Sequence, residues 1–166
     1  MSGKTNHTTD GSVVRQVALP ADAKAQSTLA HVDYEDCFLT EVANAGDRTA
    51  EEWARAVLED SPAALRTSLR SAWRTLGMRV GPEGEKGFVL GWAVRRSEPD
   101  VVLLGGTSRL GMQAELLLER HEGALLFATL VQFDNRAARG LWAGAVERPH
   151  VRTVRYLLEQ ARGRWE

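Results

Sequence analysis

Few residues in this chain are able to do chemistry, and they are widely spaced. Of the four histidines, His7 lies in a polar start, His31 precedes a strand-like segment and His121 ends another. No two of them have metal-ligand spacing, so neither a metal site nor a cofactor is expected. His150 stands apart. Trp142, Val146, His150, Val154 and Leu158 recur at steps of four, with Leu157 and Ala161 beside them, so on a helix His150 interrupts an apolar stripe. An imidazole so placed either hydrogen-bonds within the core or meets a ligand, and in charged form it would be poorly solvated without a carboxylate nearby. The ordinary reading is a satisfied structural histidine. As general acid or base it would need a second polar group reaching the same bound molecule, and it is the sole catalytic candidate on those terms.

The remaining polar groups have plainer readings. Asp33, Glu35 and Asp36 cluster on one strand and are expected on a solvated face. Cys37, the only cysteine, cannot close an intrachain disulfide or build a Cys-based zinc site, and is expected to fill space in the sheet. Asp134 closes the last strand and suits a cap for the helix from Asn135 onward. Gly105-Gly-Thr-Ser-Arg-Leu-Gly111 lacks the lysine of a phosphate loop and lies between two strands, so it reads as a hairpin.

Composition narrows the class without naming a function. With 166 residues, 43% hydrophobic, 26% charged and a formal charge of −1, the chain is expected to form one globular domain over 13–166 after a disordered start over 1–12. Nothing approaches the roughly eighteen consecutive apolar residues of a membrane span. The first ten residues show no secretory apolar stretch, so a cytoplasmic protein is expected, with a homodimer left open. Residues 136–166 hold seven arginines against three glutamates. That bias suits the solvated face of a terminal helix, and no nucleic-acid partner is expected.

The elements that must position these residues follow from pattern. Val13–Val17 reads as an edge strand, and Tyr34 to Val42 as a firmer one. Thr49-Ala-Glu-Glu52 is a capping box that starts a helix with Trp53, Val57 and Leu58 on its buried stripe. Ser61-Pro62 reads as an N-cap with proline at the first helical position, followed by Leu65, Leu69, Ala72, Trp73 and Leu76 at helical spacing and a stop at Gly77. Two short helices near 50–76 result. After Gly84 the period becomes two, predicting strands near 87–96, 101–107, 112–121 and 124–133. A long helix over 137–162 is expected to kink at Pro149, or to be broken there into two helices.

Turn lengths then predict registers. Loops over 97–100, 108–111 and 122–123 pair Arg96 with Val101, Thr107 with Met112 and His121 with Ala124. Propagated, they gather Phe88, Leu90, Trp92, Val94, Val101, Leu103, Gly105, Thr107, Met112, Ala114, Leu116, Leu118, Phe127, Thr129, Val131 and Phe133 on one apolar face. Arg95, Gln113, Glu115, Glu119 and Gln132 fall on the other, as in an antiparallel sheet covered on one side. One row reads Trp92, Gly105, Ala114, Val131. The two small residues either make room for the indole or leave space for a ligand beneath it.

The order strand, two short helices, antiparallel meander and long C-terminal helix resembles the START-like, or helix-grip, superfamily, also termed the SRPBCC or polyketide cyclase/dehydrase and lipid-transport superfamily. The residues that carry the resemblance are Asp33-Tyr-Glu-Asp-Cys-Phe38, Leu90-Gly-Trp-Ala-Val94, Ser97-Glu-Pro-Asp-Val-Val-Leu103, Phe127-Ala-Thr-Leu-Val-Gln-Phe133 and Pro149-His-Val-Arg-Thr-Val-Arg-Tyr-Leu-Leu158. The ending is also similar to a bacterial branch, the domain-of-unknown-function family numbered 2867, in which Pro–aromatic–His precedes the terminal helix; here His150 follows Pro149 directly. The resemblance spans residues 30–162. It implies an α+β fold with the terminal helix over a concave apolar face; members usually have six or seven strands, whereas the pattern here gives five to six antiparallel strands, the sixth being Val13–Val17. The resemblance also implies a cavity for a lipid or polyketide-like molecule.

The expected lining of that cavity is Trp92, Gly105, Thr107, Met112, Ala114, Leu116, Phe127, Thr129, Trp142 and His150, with Thr107, Thr129 and His150 as orienting polar groups. Three functions compete. The first is noncatalytic binding of a hydrophobic small molecule; the second is a cyclase, aromatase or dehydratase in the same cavity; the third is an interaction domain with a packed core.

Overall fold

The computed structural model describes residues 14–165. Residues 1–12, expected to be disordered, Val13 and His7 lie outside them.

Seven antiparallel strands form one sheet: β1 (Val14–Gln16), β2 (Tyr34–Glu41), β3 (Phe88–Val89), β4 (Trp92–Glu98), β5 (Val101–Ser108), β6 (Met112–His121) and β7 (Ala124–Phe133). Their order across the sheet is β1-β2-β7-β6-β5-β4-β3. The fold is α+β, as expected, but the count is seven rather than five to six. The extra strand is β3, two residues that pair with β4 across a tight turn at Leu90 and Gly91. Leu90 adopts a left-handed φ of 47°, a conformation unfavourable to a branched side chain, and it is buried in the core there.

The short helices are α1 (Ala21–Lys24), α2 (Ala50–Leu58) and α3 (Ala63–Thr75). The Thr49/Glu52 capping box is present with both of its hydrogen bonds. The next cap differs from expectation. Pro62, not Ser61, takes the N-cap position, and the Ser61 hydroxyl donates to the Leu58 carbonyl, ending α2 instead of starting α3. At the far end of the sheet Asn135, not Asp134, caps the next helix by accepting from the Ala138 N–H.

The terminal helical path has three parts. Arg136–Leu141 is α4, Trp142–Val146 is one π-helical turn and Glu147–Trp165 is α5. Proline at 149 has no N–H to give the Ala145 carbonyl and its ring crowds that oxygen. The wide turn just before it, in which the Glu147 N–H reaches the Trp142 carbonyl, takes up the mismatch. The irregularity therefore lies one turn ahead of the proline.

The β6–β7 register is as expected, with His121 opposite Ala124 and Ala114 opposite Val131. The β5–β6 register is shifted by one residue: Ser108, not Thr107, faces Met112. In β4 a bulge at Arg95 moves the pairing, and Glu98 rather than Arg96 faces Val101. Consequently Val101, Leu103, Gly105 and Thr107 lie on the outer face, and Val102, Leu104, Gly106 and Ser108 on the inner one. Phe88 pairs with Ala93 and so falls on the opposite face from Trp92. The inner row is Trp92, Gly106, Ala114, Val131. A Cβ on Gly106 would sit 2.6 Å from the end of Met78 and 3.0 Å from the Trp92 ring, so glycine makes room for the indole.

Both faces are covered. On the inner face α2 and α5 enclose Phe38, Leu104, Leu116, Phe127, Val131 and Leu158. Trp53 packs edge-on against Trp165 with ring centroids 4.5 Å apart. On the outer face the segment between β1 and β2 lays Val17, Leu19, Ala23, Leu29 and Val32 over Cys37, Leu103, Leu117, Ala128 and Leu130. Burial, with the charges of Asp36, Glu119 and Glu35 behind it, pushes the Cys37 thiol up to about 12. Glu115, fully buried, pins this outer layer. It accepts from the Ser27 hydroxyl, from the Thr28 hydroxyl at 2.6 Å, from the Thr28 N–H at 3.1 Å and from Arg95 at 3.1 Å.

No helix among the described residues is long and apolar enough to cross a membrane.

Candidate functional site

The alternation along β2 puts Tyr34, Asp36, Phe38 and Thr40 on the inner face, opposite Val131, Thr129, Phe127 and Leu125 of β7. Across from them the π turn swings Trp142 inward, and α5 carries His150 one element later. Three chain segments thus converge on one polar cluster within an apolar core. His150 Nε2 lies 3.0 Å from Asp36 Oδ2 and 3.1 Å from Thr129 Oγ1. The Tyr34 hydroxyl donates to the same Asp36 oxygen at 2.7 Å. The Trp142 ring packs on both partners, its centroid 4.9 Å from that of Tyr34 and 5.2 Å from that of His150.

Burial decides what each group can do. The Asp36 side chain is 1% exposed and that of His150 is 18% exposed, so the carboxylate is sealed while the imidazole reaches a solvent edge. With Nε2–H donated to Asp36, a neutral imidazole leaves Nδ1 as an acceptor, the arrangement in which a carboxylate fixes tautomer and ring orientation. The tyrosine is tuned too. Burial foremost, then the hydrogen bond and charge of Asp36 and the charge of Glu147, raise its pKa well above the ordinary value of 10.0.

That shift has a pH signature. A raised folded-state pKa contributes stability that is whole below the unfolded value and is lost as pH rises through the folded one. Stability is therefore expected to fall progressively above about pH 10, and Tyr34→Phe to flatten that fall. Urea midpoints measured between neutral pH and pH 11 check this; equal slopes for the two proteins would contradict it.

The other expected lining residues divide. Trp92, Met112, Ala114, Leu116 and Phe127 are buried in the same inner core as Thr129 and Trp142. Gly105 and Thr107 are not, because the one-residue shift of β5 turns them outward. Gly105 lies beneath the Arg95 side chain and Thr107 faces Gln113. Beside Trp92 the space is filled by Trp73, edge-on at 5.6 Å, and by Met78, leaving a cavity of about 10 Å³, room for one water molecule.

Larger spaces open at the surface on either side of the π turn. One, of about 610 Å³, runs between α3 and Ala145, Val146 and Pro149. The other, of about 420 Å³, is edged by Tyr34, Glu35, Glu147, Arg148 and Arg152 and adjoins the polar cluster.

The expectation of a solvated carboxylate cluster is thus wrong for Asp36, which is buried, and it missed Tyr34 as its partner. Asp33 accepts from the Phe133 N–H at 2.8 Å, and this bond chiefly holds its carboxyl below the ordinary range. Glu35 pairs with Lys24. Among the described residues no three His, Cys, Asp or Glu side chains are grouped to hold a metal ion.

Comparison with solved structures finds likeness to a protein from Arthrobacter aurescens, determined in solution by NMR. The match has 17% identity and a TM-score of 0.35, covering 81% of this chain and 90% of that one. CalU16 from Micromonospora echinospora, a crystal structure, matches at 11% identity and a TM-score of 0.29, over 79% and 85% of the two chains. No protein-family model matches the chain, and comparison with curated proteins finds no match.

Proposed function

We propose that this chain is a START-like, helix-grip protein that binds a hydrophobic small molecule against the inner face of its sheet. The His150–Asp36–Tyr34–Thr129 cluster would orient the ligand's polar group. The observation that carries the reading is this cluster itself. Polar side chains from two strands and the terminal helix meet on a face that is mostly apolar, at the edge of a surface opening, and such convergence marks binding sites more than cores. The order of elements and the helix laid across the sheet support the superfamily.

A ligand must displace side chains to enter, and α3 is the element best placed to yield. Leu69 is its only fully buried residue, with Leu65, Trp73 and Leu76 packed at its margin. Titration with long-chain alcohols, sterols and aromatic polyketides, followed by tryptophan fluorescence, tests the proposal. A saturable change, weakened several-fold in His150→Gln, is expected. A flat response across the panel would favour an interaction domain with a packed core.

The His150–Asp36 contact favours one second reading, catalysis by a cyclase or dehydratase with His150 Nδ1 as the proton acceptor. A compound converted by the wild type and left unchanged by folded His150→Gln would install it.

A further inference from the structure

The geometry points to a hydroxyl as the polar group this site selects, in preference to a carboxylate on the same apolar body; the inference rests on the binding reading above. Two buried polar atoms of the cluster have no hydrogen-bond partner: Asp36 Oδ1, an acceptor, and Trp142 Nε1, a donor. Both residues are more than nine-tenths buried. They belong to one place, because Trp142 packs on Tyr34 and His150, the two groups that bond to the other oxygen of the same carboxylate. A buried polar atom left unpaired is costly, and a ligand group that supplies the missing partner recovers that cost.

A hydroxyl can do this for either atom, since it has a proton to give to Asp36 Oδ1 and lone pairs to accept from the Trp142 indole. An ether accepts but cannot give. A carboxylate accepts from the indole but sets a second negative charge against Asp36 inside the core, where like charges repel strongly. Arg148 and Arg152 line the outer opening and are exposed, so they favour an anion only at the rim.

The test compares 1-decanol, methyl decyl ether and decanoate by isothermal titration of the full chain. Decanol is expected to bind about tenfold tighter than the ether and tighter still than decanoate, tenfold corresponding to about 1.4 kcal/mol, a typical buried hydrogen bond. Trp142→Phe, which keeps a ring but removes the donor, is expected to weaken decanol and the ether alike, leaving the gap between them in place. Asp36→Asn is expected to bring decanoate up toward decanol. Decanoate binding as tightly as decanol to the wild type would overturn this inference and leave the proposed function standing. Saturable binding of none of the three would overturn this inference, and a flat response to the sterols and aromatic polyketides as well would overturn the proposed function with it.

Discussion

Replacing Glu115 by alanine is expected to destabilise the protein by about 2–4 kcal/mol, because several hydrogen bonds to one buried, charged acceptor are lost while their donors keep some access to water. Four donors from two separate regions end on this carboxylate: the Ser27 and Thr28 hydroxyls, the Thr28 N–H and Arg95. Glu115 itself has no exposure, while Thr28 and Arg95 keep contact with solvent, so the loss falls on the hydrogen bonds that tie the β1–β2 segment down. The damage should concentrate in that segment. Its other fixed points are few, among them the Ala30 N–H to Gln132 and the apolar contacts of Leu19, Leu29 and Val32. Urea unfolding gives the magnitude, and limited proteolysis under native conditions gives the place, with cleavage expected between residues 18 and 33. Glu115→Gln keeps the shape and part of the accepting capacity, so it should recover a portion. A loss below 1 kcal/mol for the alanine variant would show that the strap is held by packing alone.

Asp36→Ala is expected to be the second most damaging change, at about 1–3 kcal/mol in all, because two part-buried donors lose their acceptor and His150 keeps Thr129 within reach. The donors are the Tyr34 hydroxyl and His150 Nε2–H. The same variant should let the tyrosine titrate nearer its ordinary value, though not fully, because burial is the larger cause and persists. Denaturation at neutral pH and a spectrophotometric tyrosine titration measure the two effects separately. An unaltered titration would mean that Asp36 does not reach Tyr34 in solution.

Much of this arrangement is legible in the residues, and its misreadings have physical causes. Gly123, with φ of 71°, makes the β6–β7 turn two residues long and leaves its register unambiguous. The β5–β6 hairpin fails that test because β5 reads Val-Val-Leu-Leu-Gly-Gly, with apolar or neutral residues on both faces. Leu103 and Leu104 are both buried, one under the β1–β2 segment and one under the helices. When both faces of a strand are covered, a slip of one residue costs nothing in pattern, and the shift from Gly105 to Gly106 cannot be read.

The second covering layer did leave a trace. Cys37, Leu103, Leu117, Ala128 and Leu130 all point outward, too many apolar side chains for a solvated face. Asp36 was legible on the same grounds: strict alternation from Tyr34 to Thr40 sets it beside Phe38, facing inward. Only its partner across the core required three dimensions, because Asp36 and His150 are separated by most of the chain and nothing local links them. The π turn was half legible. Proline at 149 demands an irregularity, but whether a helix kinks or widens depends on packing around Trp142.

Every functional proposal above rests on an apolar molecule binding where Tyr34, Asp36, Thr129, Trp142 and His150 meet. Amide and indole N–H chemical shifts of labelled protein, followed as 1-decanol is added, test it most directly. Saturable shifts are expected, centred on the Trp142 indole and the backbone of Tyr34, Asp36, Thr129 and His150 and fading toward Trp53 and Trp165 at the other end of the inner core. Shifts confined to the surface around Trp53 and Trp165, or none that saturate, would contradict it.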